Sequence, residues 1–224
     1  QSVLVRTVHC GDGVSWLRDT VLPDNAAIVT SLPDASELPR LGLDGWKQWF
    51  VEVSALACSR ITDESVAVFF QTDVKKNGIW IDKSYLIQKG AEAAGSACLF
   101  HKIVCRAPPG TTTFGRPAYA HLMAFSRNLR LDKSQSSPDV LPELGHMPWA
   151  RAMGVRACEA TVRFLVTHTN CRVVVDPFCG IGTMLAVANQ HGLSAVGVEL
   201  SRKRAERAQS FELTNHGASR PVID

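Results

Sequence analysis

The stretch CRVVVDPFCGIGTMLAVANQHGLSAVGVEL, residues 171–200, decides the fold of this chain. Its run of valines predicts a buried strand, the glycines of GIGT predict a tight turn, and the segment after them predicts a helix. A second apolar strand follows and ends in the acid Glu199. Strand, glycine turn, helix and strand in this order are typical of α/β proteins with a parallel sheet. Such a unit usually opens its domain, whereas here it stands near the end of the chain.

The glycine turn has the features of a cofactor site. Gly180 and Gly182 allow a ligand to approach the backbone, and the amides of the following helix favour a carboxylate or phosphate. Glu199 can accept hydrogen bonds from two ribose hydroxyls. The dinucleotide pattern G-x-G-x-x-G fails at Leu185, and the chain has no G-K-[ST] phosphate loop. The pattern therefore predicts a nucleoside cofactor with a compact polar tail; the alternative is a turn that only connects strand to helix.

The rest of the chain alternates between strand and helix patterns. Strands are predicted at residues 2–10, 26–34 and 65–74, and helices at residues 14–23, 46–61, 82–95, 150–169 and 201–217. Residues 97–107 and 118–128 predict two further strands, whose short connection leaves no room for a crossover helix, so they should pair antiparallel. Residues 131–146 are polar and rich in serine and proline, which predicts a loop or a mobile lid.

The composition constrains the cellular compartment of the protein more than it constrains its function. Lys and Arg number 24 against 21 Asp and Glu, an excess too small to identify a nucleic-acid partner. The seven cysteines are odd in number and form no C-x-x-C pair, which favours free thiols in a reducing compartment. No apolar run approaches the roughly 20 residues that span a bilayer. We expect no membrane association and an intracellular protein, cytoplasmic or nuclear, whose first residue, Gln1, indicates a fragment or a processed form.

The motif DPFCGIGT, together with Glu199, resembles the S-adenosylmethionine site of class I methyltransferases, especially the D-P-F-x-G-x-G-T form of enzymes that methylate amino groups of nucleic acids. The resemblance implies S-adenosylmethionine as cofactor and an α/β, Rossmann-like, seven-stranded, mostly parallel sheet with an antiparallel terminal hairpin. It covers nearly the whole chain if the order is circularly permuted, as in the β-group adenine-N6 and cytosine-N4 DNA methyltransferases. The cofactor strand, starting at Val173, and the strand at Ala195 would then be the family's first two, and Val3 would begin the third.

The permuted order also implies a domain organisation. We expect one methyltransferase domain over residues 1–224, with an acceptor-site half at residues 1–130, a loop at residues 131–149 and a cofactor-binding half at residues 150–224. Because the termini of compact domains often lie close together, a chain opened after the second strand and its helix can keep the same core.

The resemblance assigns cofactor contacts residue by residue. Asp176 and residues 180–183 would hold the methionine part, Glu199 the ribose, and Asp12 the adenine edge. The full predicted set is Asp12, Thr30, Asp176, Pro177, Phe178, Cys179, Gly180, Gly182, Thr183, Glu199 and Leu200. For Cys179, a role as nucleophile would need a depressed pKa, and its place inside the turn favours packing instead.

The acceptor site is predicted at TSLPD, residues 30–34, where the family has D-P-P-Y or a close variant. By this resemblance Ser31, Pro33 and Asp34 are the catalytic candidates. The motif keeps one proline, and a carboxylate replaces the aromatic residue that would stack on a flipped base. Asp34 has two interpretations: a group that orients or deprotonates the nucleophile, or an ordinary turn or helix-cap residue.

Two groups of basic and aromatic residues could hold a nucleotide, although each could also be a solvated face. They are Lys75, Lys76, Lys83 and Lys89 around Trp80, and Arg106 and Arg116 with Phe114 at the turn of the antiparallel pair. The histidines show no ligand spacing such as H-x-x-x-H, so no metal site is expected.

The predicted function is methyl transfer from S-adenosylmethionine to a nucleic acid, with RNA slightly preferred to DNA. The chain has no segment large enough for a separate target-recognition domain, so specificity would come from a partner protein, a missing flank or the shape of the substrate. Two alternatives stay open. One is a catalytically silent subunit that binds RNA or an active partner, and the other is a methyltransferase for proteins or small molecules.

Overall fold

A computed structural model describes residues 4–214. Over this range the chain forms six α-helices, α1 (Gly13–Asp19), α2 (Gly42–Arg60), α3 (Lys83–Ala93), α4 (Val155–His168), α5 (Thr183–Gln190) and α6 (Arg202–Ser210). Its ten strands are β1 (Arg6–Cys10), β2 (Ala26–Thr30), β3 (Ala67–Gln71), β4 (Val74–Lys76), β5 (Ile79–Ile81), β6 (Ala97–Cys105), β7 (Tyr119–Ser126), β8 (Val140–Leu141), β9 (Val173–Asp176) and β10 (Ser194–Glu199). Short 3-10 helices lie at Ala35–Glu37, Pro39–Leu41 and Lys133–Gln135.

Eight of these strands form one sheet in the order β1-β10-β9-β2-β3-β7-β6-β8. Neighbouring strands run parallel except that β7 is antiparallel to both β3 and β6, which confirms the predicted antiparallel pair. The sheet has one strand more than the seven predicted, because Val140 and Leu141 pair in parallel with Ile103 and Val104 of β6. Strands β4 and β5 form a separate two-stranded hairpin.

Helices cover both faces of the sheet. Because side chains alternate along a strand, Ala27 and Val29 of β2 enter one apolar cluster and Ile28 enters the other. The first cluster contains Leu165 of α4 and Leu185 of α5, while α1, α2 and α3 supply residues to the second. The interior is therefore a three-layer α/β/α arrangement with the sheet in the middle.

The glycine-turn strand β9 lies in the middle of the sheet, between β10 and β2. The chain reaches β10 from β9 through α5, a helix of the first cluster, and reaches β3 from β2 through α2, a helix of the second. In open α/β sheets the carboxyl ends of such diverging strands border a crevice in which ligands bind.

Several predicted boundaries differ from the structure. The strand predicted from residue 2 is seen from Arg6, and residues 1–3, with Val3, lie outside the described part. Helix α4 begins at Val155 rather than residue 150, because Gly154 is extended (φ −53°, ψ 145°) and packs so closely on Leu144 that a Cβ would lie 2.0 Å from its carbonyl oxygen. Helix α6 ends at Ser210, and residues 215–217 of its predicted span lie outside the described residues. No helix within residues 4–214 is both long and apolar enough to cross a membrane.

Candidate functional site

Asp176 ends β9 with a buried carboxyl group that ties β9 to β2. The Thr30 hydroxyl donates a hydrogen bond to Asp176 Oδ1 over 2.7 Å, and the Phe178 amide donates to the same oxygen over 3.1 Å. Burial disfavours the charged form and raises the pKa of Asp176 to about 7, although these two hydrogen bonds act in the opposite direction. A positively charged ligand group placed beside this carboxyl would favour its ionised form.

The turn after Asp176 has the backbone that its glycines predict. Gly180 (φ 56°) and Gly182 (φ 89°) lie in the left-handed region, and Gly182 is the N-cap of α5. A Cβ on Gly182 would lie 3.0 Å from backbone atoms of Ala208 in α6, so the turn is also pressed against that helix. Among the described residues, the buried Thr183 hydroxyl at the start of α5 has no hydrogen-bond partner. Such an orphaned polar atom fits a site that takes a polar ligand group or a water molecule.

Glu199 ends β10, the strand next to β9. Its Oε1 accepts hydrogen bonds from the Ser201 amide (3.0 Å) and from Arg204 Nε (2.8 Å), and Arg204 Nη2 lies 2.7 Å away. Among the described residues the donors to this carboxylate reach Oε1 only, which leaves Oε2 for other donors. The acid is therefore held in a fixed orientation at the same edge of the sheet as Asp176.

The start of the chain adjoins the same edge. Cys10 of β1 pairs with Glu199, and the Gly11 amide donates to the Glu199 carbonyl over 3.0 Å. Asp12 is exposed and caps α1, accepting from the Ser15 amide at 2.9 Å and the Ser15 hydroxyl at 2.7 Å. The structure thus brings Asp12 next to Glu199, although the two residues lie at opposite ends of the sequence.

Pro177, Phe178 and Leu200 surround this junction. A Cβ on Gly13 would lie 2.1 Å from the Pro177 carbonyl and 3.0 Å from the Phe178 ring, so the start of α1 rests on the turn after β9. Leu200 is exposed to 73% and its carbonyl accepts the Cys10 thiol at 3.7 Å. An exposed leucine beside an acid is compatible with contact to the apolar face of a base.

Cys179 is enclosed within the turn. Its Sγ lies 2.7 Å from the position of a Cβ on Gly197 of β10, and its amide donates to the Val198 carbonyl over 3.0 Å. Burial, reinforced by the nearby carboxylates of Asp176 and Glu199, raises the pKa of the thiol above its ordinary value. A buried, protonated thiol agrees with packing rather than nucleophilic catalysis.

Trp149 covers the glycine turn, a contact that the sequence did not predict. An aromatic carbon of Trp149 lies 2.5 Å from the position of a Cβ on Gly180, so the ring rests directly on the backbone that a cofactor would approach. The Arg204 guanidinium lies 5.6 Å from the centre of the Trp149 ring while it also binds Glu199. The one signal for this contact in the sequence is the position of Trp149, next to Pro148 and at the end of the predicted polar loop.

The predicted acceptor segment leaves the carboxyl end of β2 next to this turn. Ser31 lines a small pocket together with Trp149, Asp176 and Gly180. The Leu32 amide donates to the side-chain oxygen of Gln71, and Trp46 Nε1 donates to the Pro33 carbonyl over 3.1 Å. These contacts fix the backbone of residues 31–33 and bring the three predicted catalytic candidates to the edge of the sheet that carries Asp176.

Asp34 both caps a helix and forms two ion pairs. It is the N-cap of the 3-10 helix Ala35–Glu37, with a capping box to Glu37. Its Oδ2 lies 3.5 Å from Lys83 Nζ and 3.4 Å from Arg116 Nη2. The capping interpretation is thus seen directly, and the catalytic interpretation stays a prediction.

Lys83 does not belong to the surface group around Trp80 in which the sequence placed it. The residue is 2% exposed, and burial lowers its pKa while the Asp34 carboxylate acts to raise it. It lies below the surface because it begins α3 with its side chain directed at Asp34. Lys75, Lys76 and Lys89 are exposed, as is Phe114, at 94%.

A polar cluster that sequence spacing does not reveal lies behind the β4–β5 hairpin. His121 Nε2 lies 2.9 Å from Asp73 Oδ2 and 3.9 Å from Asp82 Oδ1, close enough together for the three residues to surround a metal ion. Asp73 also accepts hydrogen bonds from Trp80 Nε1 (3.0 Å) and from the Lys83 amide (2.9 Å). Its carboxylate is therefore already supplied with donors by the protein, and the cluster serves as an anchor for Trp80.

Comparisons with known proteins show which solved structures share the α/β fold of this chain. No protein-family model and no curated protein matches the chain. TTHA0409 of Thermus thermophilus, assigned as a DNA modification methylase and crystallised with S-adenosyl-L-methionine, is 19% identical with a TM-score of 0.68, covering 92% of this chain and 93% of its own. M1.HpyAVI in complex with SAM is 17% identical with a TM-score of 0.60, covering 92% of this chain and 98% of its own. The cytosine-N4-specific PvuII DNA methyltransferase is 13% identical with a TM-score of 0.70, covering 95% of this chain and 88% of its own. At these identities the likeness shows a shared fold: the chain has the same Rossmann-like α/β fold as these three proteins.

Proposed function

We propose that the protein is an S-adenosylmethionine-dependent methyltransferase that acts on nucleic acid, with DNA as the first acceptor to test. The observation that carries the proposal is the edge where β9 and β10 end, with buried Asp176, a left-handed glycine turn and Glu199 side by side. An unpartnered Thr183 hydroxyl in the described structure adds a polar group for the methionine part. The structural neighbours named as DNA methyltransferases favour DNA, and they give no support to the RNA preference inferred from the sequence.

In this proposal the cofactor supplies the electrophilic methyl group, and the protein aligns the reactants. Asp176 and residues 180–183 hold the methionine part, Glu199 binds the ribose, and Asp12 and Leu200 border the adenine. Residues 31–34 would hold the acceptor amine in line with that methyl group, and the Asp34 carboxylate would take the proton that the amine releases. Catalysis then rests mainly on positioning, for which the fixed backbone of residues 31–33 is suited. A partner protein or the shape of the substrate would supply sequence specificity.

The chain order supports a circular permutation. Strand β9 lies in the middle of the sheet but comes ninth along the described chain, and the strands on its two sides come from opposite ends of the sequence. We infer that the predicted single domain, residues 1–224, arose by opening the family order after its second strand and helix.

Two measurements test the proposal on the purified protein. Calorimetry should show binding of S-adenosylmethionine, and radiolabelled cofactor should transfer its methyl group to DNA rather than to RNA or protein fractions. Glu199→Gln should weaken cofactor binding about 10- to 150-fold, because hydrogen bonds to a charged group contribute roughly 1.5–3 kcal/mol. Glu206→Gln, at an exposed position of α6, is the matched control and should bind normally. Unchanged affinity in Glu199→Gln would move the ribose site elsewhere.

A catalytically silent subunit is the second candidate. The ion pairs of Asp34 with Lys83 and Arg116 favour it, because they engage the carboxylate that would otherwise serve the acceptor. Cofactor binding without methyl transfer to any fraction would support this candidate over the enzyme.

A further inference from the structure

A groove opens beside the acceptor segment, between α2, α3 and the β4–β5 hairpin. It has a volume of about 650 Å³ and is lined by Lys47, Trp80, Asp82, Tyr85, Leu86 and Lys89, among others. This volume falls within the range of about 300–1,000 Å³ that ligand sites occupy.

The groove starts within one residue of the contacts that hold the acceptor segment. Lys47 follows Trp46, whose indole donates to the Pro33 carbonyl. Asp82 precedes Lys83, whose ammonium lies 3.5 Å from Asp34. The groove is therefore built on the same elements, α2 and the start of α3, that hold the acceptor segment.

The groove offers aromatic surface that is held in place. Trp80 is 45% exposed, yet its indole N–H binds the buried Asp73 carboxylate and its ring stacks on Tyr119 with centroids 6.3 Å apart. Tyr85 is 61% exposed on α3. The Trp80 ring is fixed but left in solvent, and the exposed Tyr85 ring on the same groove gives a second surface on which an unpaired base can stack.

Charge around the groove favours an anionic partner. Lys47 and Lys89 line it, Lys75 lies 5.0 Å from the Trp80 ring centre, and Lys76 is exposed on the same strand. The acid in the lining, Asp82, accepts hydrogen bonds from the Ser84 amide and hydroxyl as the cap of α3. Two lysines thus line the groove and a third lies over its Trp80 ring, while the one carboxylate of the lining is already engaged.

We propose that this groove binds an unpaired DNA segment that flanks the nucleotide held at residues 31–34, with a base stacked on Tyr85 and phosphates paired with the lysines. Its place beside the acceptor segment rests on the proposed function. The polymer is unpaired because ring stacking needs bases that are not stacked in a duplex. It is DNA because the proposed acceptor is DNA.

The test is fluorescence anisotropy of the full chain with a labelled single-stranded DNA of about 12 nucleotides, measured without cofactor. Tyr85→Ala should weaken binding about 5- to 150-fold, the range of losing one base–aromatic stack. Tyr85→Phe should bind like the wild type because it keeps the ring. Lys89→Gln should reduce the slope of log affinity against log salt by about 0.7, the value for one phosphate contact on a single strand. Lys133→Gln, an exposed lysine on the loop packed near α4 across the sheet, should leave affinity and slope unchanged.

Wild-type binding by Tyr85→Ala, equal affinity for duplex DNA, or tighter binding of RNA of the same sequence would each overturn the proposal. Calorimetry with S-adenosylmethionine on the same preparations separates the proposed DNA-binding groove from the proposed methyltransferase function. Cofactor binding with an ineffective Tyr85→Ala change removes the groove alone. DNA binding that depends on Tyr85 without any cofactor binding removes the proposed enzyme and keeps the groove.

Discussion

Asp176 is a residue whose ionisation the fold changes between pH 3.8 and about 7. Its carboxyl group is buried beneath the glycine turn, where it accepts hydrogen bonds from Thr30 and Phe178. Burial raises its pKa from the ordinary value of 3.8 to about 7. The folded protein therefore keeps a proton that the unfolded chain has released between these two pH values.

The consequence for stability has a definite sign. Because the folded state binds the proton more tightly, the contribution of Asp176 to stability is full below pH 3.8 and is lost as the pH rises towards about 7. Asp176→Asn keeps an oxygen for the Thr30 and Phe178 donors but does not titrate. Denaturant unfolding between pH 4 and 8 should show the wild type losing stability relative to this variant. Parallel stability profiles of the two proteins would contradict the raised pKa.

Asp34 is the residue that departs most from the family motif, and Asp34→Asn tests its role. If Asp34 takes a proton during transfer, the change should lower the methyl-transfer rate about 10²–10⁴-fold with unchanged cofactor affinity. An unaltered rate would show that the carboxylate serves structure only.

Stability should fall in Asp34→Asn under either interpretation. Asparagine caps a helix about as well as aspartate, but it removes the ion-pair partner of the buried Lys83 ammonium, and we expect a loss of roughly 1–3 kcal/mol. The double variant Asp34→Asn, Lys83→Met should recover much of that loss, because it removes the buried charge as well. Denaturant unfolding of the three proteins measures both effects.

At the scale of elements, sequence patterns predicted the helices, strands and turns whose formation depends mainly on neighbouring residues. The glycine turn, α5 and β10 follow from residues 171–200, and the β6–β7 pair follows from a connection too short for a helix. Strand β8 was missed because two residues carry no periodic pattern and pair only where β6 offers a free edge. The late start of α4 depends on the contact of Gly154 with Leu144, which is tertiary.

The site followed the same rule. Asp176, Gly180, Gly182 and Glu199 were predicted from one stretch of sequence, residues 171–200, and the structure brings them to one edge of the sheet. In contrast, the pairing of Asp34 with Lys83 and of Asp73 with His121 joins residues on different elements. No spacing in the sequence encodes such contacts, which explains why Lys83 was assigned to the surface.

The segment between β8 and α4 gives a prediction at the same scale. Its Trp149 ring rests on Gly180, where the cofactor should approach the backbone, so ring and cofactor compete for that space. Trp149→Ala should therefore increase the association rate of S-adenosylmethionine in stopped-flow experiments, whereas Trp80→Ala, on β5, should not. In the wild type, tryptophan fluorescence should change on cofactor binding, and Trp149→Phe should lose that change. Slower association in Trp149→Ala would show that the ring supports the bound cofactor instead of excluding it.

For the whole molecule, the sheet joins the two ends of the described chain at one place. Strand β1 pairs with β10, so Gly11 and Asp12 lie beside Glu199, and β10 in turn pairs with β9. A cofactor at this edge would contact the predicted acceptor-site half and the predicted cofactor-binding half together. Cofactor binding should therefore protect backbone segments that lie far apart in the sequence.

Hydrogen exchange of backbone amides can detect this directly. With S-adenosylmethionine at about 100 times its Kd, the bound state gains roughly 2.7 kcal/mol, and amides that open through release of the cofactor should exchange up to about 100-fold more slowly. We expect slower exchange at residues 10–13, 176–184 and 199–204, because these segments meet at the carboxyl ends of β1, β9 and β10. Residues 97–105 in β6, near the opposite edge of the sheet, provide the internal control and should exchange at their original rate. Protection confined to residues 150–224 would contradict a site shared by both halves, since the fold places residues 10–13 against Glu199 whichever way the chain is permuted.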